Sequence, residues 1–230
     1  MVIIKNNIPN ILTLTNLFCG LMIIKCAALL QFDVVIYWAI AALIFDFMDG
    51  SVARILNVSS KIGKELDSFA DVISFGVAPA LVLFYYWQDR FSEGCFFYAP
   101  FVIALFSAYR LAKFNITDQE NDYFVGLPTP ALALGCFVLP QIENSSLWMS
   151  STVNNNYFVL LFSFIGGLLL VSNFKFFSLK SGSGNKELNV IRIAYLVTAI
   201  LLIVWLHFLG TFFCLLVYIG FSLSIQNRIN

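Results

Sequence analysis

Four aspartates stand in two pairs within apolar sequence: Asp46 with Asp49, and Asp67 with Asp71. Residues three or four apart share one face of an α-helix, so each pair can act as a unit. No histidine or cysteine lies close by, and carboxylate oxygens alone favour hard cations such as Mg²⁺, Mn²⁺ or Ca²⁺ over zinc. Two antiparallel helices that each carry such a pair could hold two cations about 4 Å apart, an arrangement suited to phosphoryl displacement.

A carboxylate inside a membrane needs a compensating partner. Each aspartate there costs about 2.5–3.5 kcal/mol, and neutralisation by salt bridges would require basic partners at the same depth. The nearest candidates, Arg54, Lys61 and Lys64, belong to the segment between the two pairs. We therefore expect the carboxylates to face a cavity and to be neutralised by metal ions.

Small residues beside the carboxylates predict room for a ligand. Gly50 and Ala53 continue the helix face of the first pair, and Gly63 lies one turn before Asp67. None of the three carries more than a methyl group, which leaves space beside the carboxylates.

The helices that position these residues are membrane spans. The 230 residues are 60% hydrophobic and 11% charged, with a mean hydropathy of +0.87, whereas soluble domains are about 25% charged. About 20 apolar residues of helix cross a hydrocarbon core about 30 Å thick. Eight segments approach this length: 11–31, 33–56, 67–89, 95–114, 128–143, 156–174, 188–207 and 209–226. We expect an all-α integral membrane protein, a helical bundle of about eight transmembrane helices, with a tight turn near residues 207–210 and a flexible linker at residues 181–185.

The basic residues predict the orientation. If the N-terminus is cytoplasmic, 11 of the 13 lysines and arginines fall in cytoplasmic segments or flanks, as the positive-inside rule requires. They are Lys5, Arg54, Lys61, Lys64, Arg110, Lys113, Lys175, Lys180, Lys186, Arg192 and Arg228. Only Arg90 falls in an external loop, and Lys25 lies within the first span. We expect both termini, and the site, on the cytoplasmic side of the cytoplasmic membrane.

A family signature is matched at every fixed position by residues 46–54 (DFMDGSVAR) and, after eight further residues, by residues 63–71 (GKELDSFAD). This pattern resembles the CDP-alcohol phosphatidyltransferase family. The resemblance implies a six-span catalytic core at residues 1–174, followed at residues 175–230 by a linker and two additional spans. It also implies a homodimer with a site open to the cytoplasmic leaflet.

The resemblance also assigns roles to single residues. Metal ligands would be Asp46, Asp49 and Asp67, and Asp71 would lie near the second metal and act as the base. Gly50, Ala53 and Arg54 would line the CMP portion of the donor, with Gly63 beside them. Asn10 and Thr13, spaced by three residues near the start of the first span, are further candidates for the nucleotide, although helix capping and interhelical hydrogen bonds would explain them equally.

The flanking sequence resembles the membrane-embedded phosphatidylserine synthases within that family. The similar segments are residues 9–16 (PNILTLTN), 66–79 (LDSFADVISFGVAP), 109–115 (YRLAKFN) and 124–130 (FVGLPTP). This implies CDP-diacylglycerol and L-serine as substrates, with phosphatidylserine and CMP as products. Arg110 and Lys113 could hold the serine carboxylate or the lipid phosphate, with Ser68 as a further candidate, or the two cations could be ordinary positive-inside anchors.

Several alternatives remain open from the sequence. The acceptor could be glycerol-3-phosphate or inositol phosphate, because the signature fixes the donor chemistry alone. A cation-coupled transporter would also place carboxylates in the membrane, but no second DxxDG element occurs in the C-terminal half. Five cysteines without CxxC spacing argue against a zinc site or a disulfide framework. Membrane lipids are expected partners, and nucleic acid is not.

Overall fold

The structure is a computed structural model that describes residues 2–58, 60–91, 94–116, 123–143, 147–178 and 186–225. Its helices are α1 (Val2–Ala28), α2 (Phe32–Leu56), α3 (Lys61–Asp71), a π-helical segment (Val72–Val77), α4 (Ala78–Arg90), a 3-10 helix (Phe96–Tyr98), α5 (Phe101–Ile116), α6 (Thr129–Ile142), α7 (Leu147–Val153), α8 (Asn156–Val171) and α9 (Lys186–Ile225). Two short strands, β1 (Tyr123–Val125) and β2 (Lys175–Phe177), pair antiparallel.

Each of the eight predicted spans coincides with a helical segment. The helices α3 and α4 are joined by the π-helical segment into one continuous stretch, Lys61–Arg90. The last helix is interrupted at His207, whose φ of 52° and ψ of −122° are not helical, so α9 comprises two segments. Three stretches of the described chain are long and apolar enough alone to cross a membrane: Asn7–Ala28, Lys61–Arg90 and Asn189–Ser224. The predicted all-α membrane fold is confirmed, and so is the turn near residues 207–210.

Several boundaries differ from the prediction. The third span begins at Lys61 because the Ser60 side chain caps the helix and accepts a hydrogen bond from the Gly63 N–H. The fourth begins at Phe101, after the 3-10 helix. The sequence analysis missed the π-helical segment, α7 and the pair of strands. The linker predicted at residues 181–185 lies outside the described residues.

A tight connection between α2 and α3 brings the two aspartate pairs together. Asn57 ends α2 in the left-handed conformation with a φ of 52°, and its N–H bonds back to the carbonyls of Ala53 and Arg54. Asparagine is one of the few residues that adopt this conformation readily. Ser60 begins α3 three residues later, and the chain reversal brings aspartate side chains of the two helices within reach of one another.

The first helix packs along α2, α3 and α4 and forms one wall of the bundle. Its buried residues recur every three or four positions, which is the period of one helix face. They are Pro9, Thr13, Asn16, Cys19, Ile23 and Cys26, with Gly20 and Ala27 buried beside the last members. Cys19, Ile23 and Cys26 join an apolar core with α2, α4 and α6, whereas Thr13 bonds one of the aspartates.

A polar network ties α4 to α6 and α7 at the opposite end of the bundle. Arg90 donates to both carboxylate oxygens of Glu143, and its guanidinium lies 3.9 Å from the centre of the Tyr86 ring. Tyr86 and Asn154 donate to the same carboxylate, at 3.1 and 2.9 Å. Since Arg90 lies 23 residues after Asp67 on one continuous stretch of helix, about 35 Å separates this network from the aspartates.

Glu143→Gln should destabilise the protein at neutral pH by about 1.5–3 kcal/mol, the contribution of hydrogen bonds to a charged group. Partial burial raises the pKa of Glu143, but hydrogen bonds from Arg90 and Asn154 outweigh burial and hold this pKa below its usual value. The stabilisation is therefore present above the unfolded-state pKa and is lost as pH falls through the folded-state pKa. The difference in melting temperature between wild type and variant in detergent should be largest near neutral pH and should shrink below about pH 4.

Asp89→Asn is the matched control. Asp89 also lies 3.4 Å from Arg90, but its side chain is 51% exposed, so its loss should change stability by about 0–1 kcal/mol. A difference between wild type and Glu143→Gln that does not depend on pH would contradict this account of the network.

Candidate functional site

Three carboxylates converge from α2 and α3. One oxygen each from Asp46, Asp49 and Asp67 lies within 4.8 Å of the others. Asp71, one turn further along α3, makes a side-chain hydrogen bond with Asp46 and interacts electrostatically with Asp49 and Asp67. Its Oδ1 atom is buried and has no hydrogen-bond partner in the described part of the chain. The structure thus brings together all four aspartates singled out from the sequence.

This cluster fits a hard divalent cation. Carboxylates this close repel one another. The hydrogen-bonded pair of Asp46 and Asp71 must therefore be stabilised by a bound cation or a shared proton. The donors are all carboxylate oxygens, the ligands preferred by Mg²⁺, Mn²⁺ and Ca²⁺. The buried oxygen of Asp71 that lacks a partner also offers a position for a cation or a proton. The three-carboxylate group is therefore a candidate metal centre.

The first helix contributes a polar group to the cluster. Thr13 donates a hydrogen bond of 2.7 Å to Asp49 Oδ2, and its oxygen also lies 3.0 Å from the Pro9 carbonyl. Asp49 is 5% exposed, so this hydroxyl orients a carboxylate that water barely reaches. Thr13 thus bonds a predicted metal ligand, and its contact with the nucleotide stays a prediction.

A cavity of about 560 Å³ opens beside the carboxylates. This volume lies within the range of about 300–1,000 Å³ that small-molecule sites occupy. The residues around it come from α1, α2, the turn and α3: Pro9, Asn10, Thr13, Asp49, Gly50, Ala53, Asn57, Val58, Ser60, Gly63, Lys64 and Asp67. Five residues predicted to contact the donor are among them, and a β-carbon at Gly50 would have no neighbour within 4 Å.

Arg54 is the predicted donor-binding residue that is not part of this lining. Its Nε donates to the Gly50 carbonyl at 3.1 Å and its Nη2 to Ser51 at 3.4 Å, so it bonds to its own helix. The sequence analysis missed Asn57, Ser60 and Lys64 as lining residues. The available signal was the position of Asn57 and Ser60 between the two halves of the signature, and of Lys64 beside Gly63 in the second half.

The predicted anion-binding residues lie on α3 and α5. Arg110 is 9% exposed, its Nη1 lies 3.4 Å from Thr129 Oγ1, and its Nε is buried without a hydrogen-bond partner in the described residues. It interacts electrostatically with Asp71, which places a buried cation near the carboxylates. Arg110 and Lys113 also line a second, small recess of about 30 Å³.

Ser68 connects α3 with α5. Its hydroxyl donates to the Lys64 carbonyl at 3.0 Å and accepts a 2.7 Å hydrogen bond from Asn115 Nδ2. Lys64 Nζ donates to the backbone carbonyl of Asn115 at 3.3 Å, so both the side chain and the backbone of Asn115 are bonded to α3. The sequence reasoning gave Asn115 no role, because nothing local indicates a contact across 47 residues.

The π-helical segment fits directly below Asp71 between α1 and α5. Ser74 donates to the Asn16 carbonyl at 3.1 Å, and a β-carbon at Gly76 would lie 2.9 Å from the β-carbon of Ser107. π-Helical turns occur frequently at functional sites. Here the segment lets the backbone approach two neighbouring helices just beyond the fourth aspartate.

Comparison with known proteins accords with this geometry. The sequence model of CDP-alcohol phosphatidyltransferases matches residues 6–165. The chain belongs to the CDP-alcohol phosphatidyltransferase family, which confirms the family predicted from the signature.

Relatives in three organisms carry one name, CDP-diacylglycerol–serine O-phosphatidyltransferase. The protein of Helicobacter pylori is 37% identical over 191 residues, which cover 82% of this chain and 79% of the relative. That of Methanocaldococcus jannaschii is 37% identical over 169 residues, 74% of this chain and 73% of the relative. That of Bacillus subtilis is 30% identical over 162 residues, 67% of this chain and 87% of the relative.

The two glycines of the cavity should respond differently to a methyl group. A β-carbon at Gly63 would lie 2.9 Å from both Asn10 Oδ1 and Ser60 Oγ, so Gly63→Ala must displace the Asn10 side chain or the Ser60 cap. We expect a loss of about 1–3 kcal/mol, as for other overpacked positions. Gly50→Ala meets open space and gains helix propensity, so stability should be unchanged or rise by up to about 1 kcal/mol. Melting temperatures in detergent test both, and equal losses would contradict the assignment of open space at Gly50.

Proposed function

We propose that this protein transfers the phosphatidyl group of CDP-diacylglycerol to the hydroxyl of L-serine, giving phosphatidylserine and CMP. The observation that carries the proposal is the carboxylate cluster at the edge of a cavity lined by small residues, built from the family signature. The shared name of the relatives supports serine as the acceptor.

The cluster would hold divalent cations, Mg²⁺ or Mn²⁺, with Ca²⁺ as a further occupant. Asp46, Asp49 and Asp67 would be the ligands, with Asp71 beside the second ion. When bound, such ions neutralise pyrophosphate charge and make CMP a competent leaving group. Thr13 keeps one oxygen of Asp49 oriented and leaves the other available.

The donor nucleotide would occupy the main cavity. Gly50 and Ala53 provide an open helix face, and Gly63 lets α1 and α3 approach closely at the base of the cavity. Asn10 lies against Gly63 and supplies an amide beside the nucleotide. Arg54, bonded to the Gly50 carbonyl, would stiffen the same helix turn and lend positive charge to it.

Asp71 would act as the general base. Its buried Oδ1, which has no hydrogen-bond partner in the described residues, is available to accept the proton of the serine hydroxyl. The serine oxygen then bonds to the lipid-linked phosphorus as the bond from phosphorus to the CMP oxygen breaks. Direct displacement, without a covalent intermediate on the protein, is the proposed route.

Arg110 would bind the serine carboxylate. It is a buried cation that interacts electrostatically with Asp71, and its Nε has no hydrogen-bond partner in the described residues. Lys113 lines the same recess and would add positive charge, while Ser68 would act through α3 and Asn115. A lipid phosphate is the other anion that this pair of cations could receive.

The protein is an integral membrane protein, and we place it in the cytoplasmic membrane with both termini and the cavity on the cytoplasmic side. Basic residues Lys61, Lys64 and Lys113 lie at the cavity end of the bundle, which agrees with the positive-inside rule. A six-span core at residues 1–174, an appended C-terminal pair of spans and a homodimer are parts of the same proposal.

Release of CMP from CDP-diacylglycerol by the purified protein tests the function. Serine, glycerol-3-phosphate, inositol and inositol phosphate are supplied in separate reactions, and the lipid product is identified by mass. We expect CMP release that depends on serine and yields phosphatidylserine. Turnover with glycerol-3-phosphate or inositol phosphate but not with serine would refute the acceptor and leave the donor chemistry intact.

Asp71→Asn should separate binding from chemistry. Loss of a general base lowers the turnover number by about 100- to 10,000-fold, whereas binding of CDP-diacylglycerol should remain because three carboxylates still hold metal. Asp49→Asn should instead raise the metal concentration needed for donor binding by about tenfold or more. Asp33→Asn, an exposed aspartate at the far end of α2, is the matched control and should behave as wild type.

Chelation with EDTA completes the comparison. Wild-type turnover should vanish and should return when Mg²⁺ or Mn²⁺ is added. Full activity after exhaustive chelation would refute the metal assignment, and wild-type turnover in Asp71→Asn would refute its role as the base.

A further inference from the structure

The second half of α9 reaches the cation of the acceptor site. Tyr218 is 4% exposed, and its hydroxyl donates a 2.9 Å hydrogen bond to the Phe177 carbonyl in β2. Tyr218 also interacts electrostatically with Arg110. Both α9 and β2 lie beyond residues 6–165, the part of the chain that the family model matches.

The contact continues from β2 to the residue that bonds Arg110. Strand β2 pairs with β1, so that Phe177 lies opposite Tyr123. Directly after β1, the Gly126 N–H donates to the Phe174 carbonyl at 2.9 Å. Thr129 follows three residues later as the first residue of α6, and its hydroxyl is the hydrogen-bond partner of Arg110.

This connection has little freedom to move. Gly126 has a φ of +82°, which side-chain-bearing residues rarely adopt, and a β-carbon there would collide with the Leu170 carbonyl. The Leu127 N–H is bonded to the Leu169 carbonyl at 2.9 Å, so the segment is also fixed to α8. The segment that leads to Thr129 is therefore held by the chain before β2 on one side and by α8 on the other, so that the position of β2 is one of its two restraints.

Aromatic packing holds β2 against α9. Phe176 and Phe177 are fully buried, and their rings pack on Tyr218 with centroids 5.8 and 4.9 Å away. Arg192, in the first half of α9, donates to the Ser178 carbonyl at 2.6 Å. Both halves of α9 thus bond to the backbone at the end of β2, which a helix pair serving only as an anchor in lipid would not require.

We infer that the C-terminal helix pair positions the acceptor-binding side of the catalytic site, with Tyr218 as the positioning residue that sets β2, Thr129 and Arg110. The inference rests on the proposed role of Arg110 in binding the serine carboxylate. Tyr218 acts through the Phe177 carbonyl and touches no reacting atom. The donor cavity, formed by α1, α2 and α3, has no lining residue from β2 or α9.

Tyr218→Phe tests this with the ring retained. Removal of one hydrogen bond should raise the KM for serine about threefold to tenfold, while the KM for CDP-diacylglycerol stays within about twofold. Tyr195→Phe is the matched control, because Tyr195 packs in the same aromatic group and its hydroxyl has no hydrogen bond within the described residues. It should change neither constant. Melting temperatures are measured on both variants.

A double variant shows whether Tyr218 acts through Thr129. If it does, Tyr218→Phe combined with Thr129→Val raises the serine KM by less than the product of the two single effects. Equal changes in both KM values, a lowered melting temperature without a change in serine KM, or multiplicative effects in the double variant would overturn the inference. A wild type that ignores serine would instead refute the proposed function, and the Tyr218 comparison would then be made with the acceptor that is used.

Discussion

The concentration of negative charge inside an apolar bundle is the constraint on which the rest of the structure depends. Two unit charges about 5 Å apart repel by about 3 kcal/mol at an effective dielectric constant of 20. Oxygens of three carboxylates lie within that distance of one another, and the fourth, Asp71, is hydrogen-bonded to Asp46. Lipid cannot accommodate such a group. The short turn between α2 and α3 brings the carboxylates together, and a cavity opens beside them.

The first helix, α1, forms one wall of the cavity beside this cluster. Its Asn10 side chain lies against Gly63 of α3, and it meets the π-helical segment through Asn16 and Ser74. Between these two contacts, Thr13 reaches Asp49. The helix is therefore fixed above, at and below the level of the carboxylates. A wall fixed in this way keeps the cavity open without a large apolar contact at its mouth.

Local patterns in the sequence predicted the spans and the aspartate pairs, because apolar length and helical spacing are properties of neighbouring residues. The burial of Arg110 was not predictable, since a basic residue near a span end reads as an anchor whether or not other helices cover it. The strands β1 and β2 have three residues each and pair across about 50 residues of sequence, so neither carries a pattern of its own. The bond of Arg54 to its own helix likewise depends on a rotamer that spacing does not specify.

Because of the π-helical segment, the geometry of the site depends on the number of residues in this stretch of helix as well as on their types. A π-helical turn is equivalent to one residue inserted into an α-helix, and one residue corresponds to a rotation of about 100° about the helix axis. The direction of Asp67 is thereby set relative to the fully buried Trp87 on the same stretch. Many substitutions within Val72–Val77 would leave this angle intact, but a one-residue deletion would rotate the carboxylates away from α2 or the tryptophan out of the core. The π-helical segment thus sets the angle about the helix axis between the part that carries the aspartates and the part that is packed in the core.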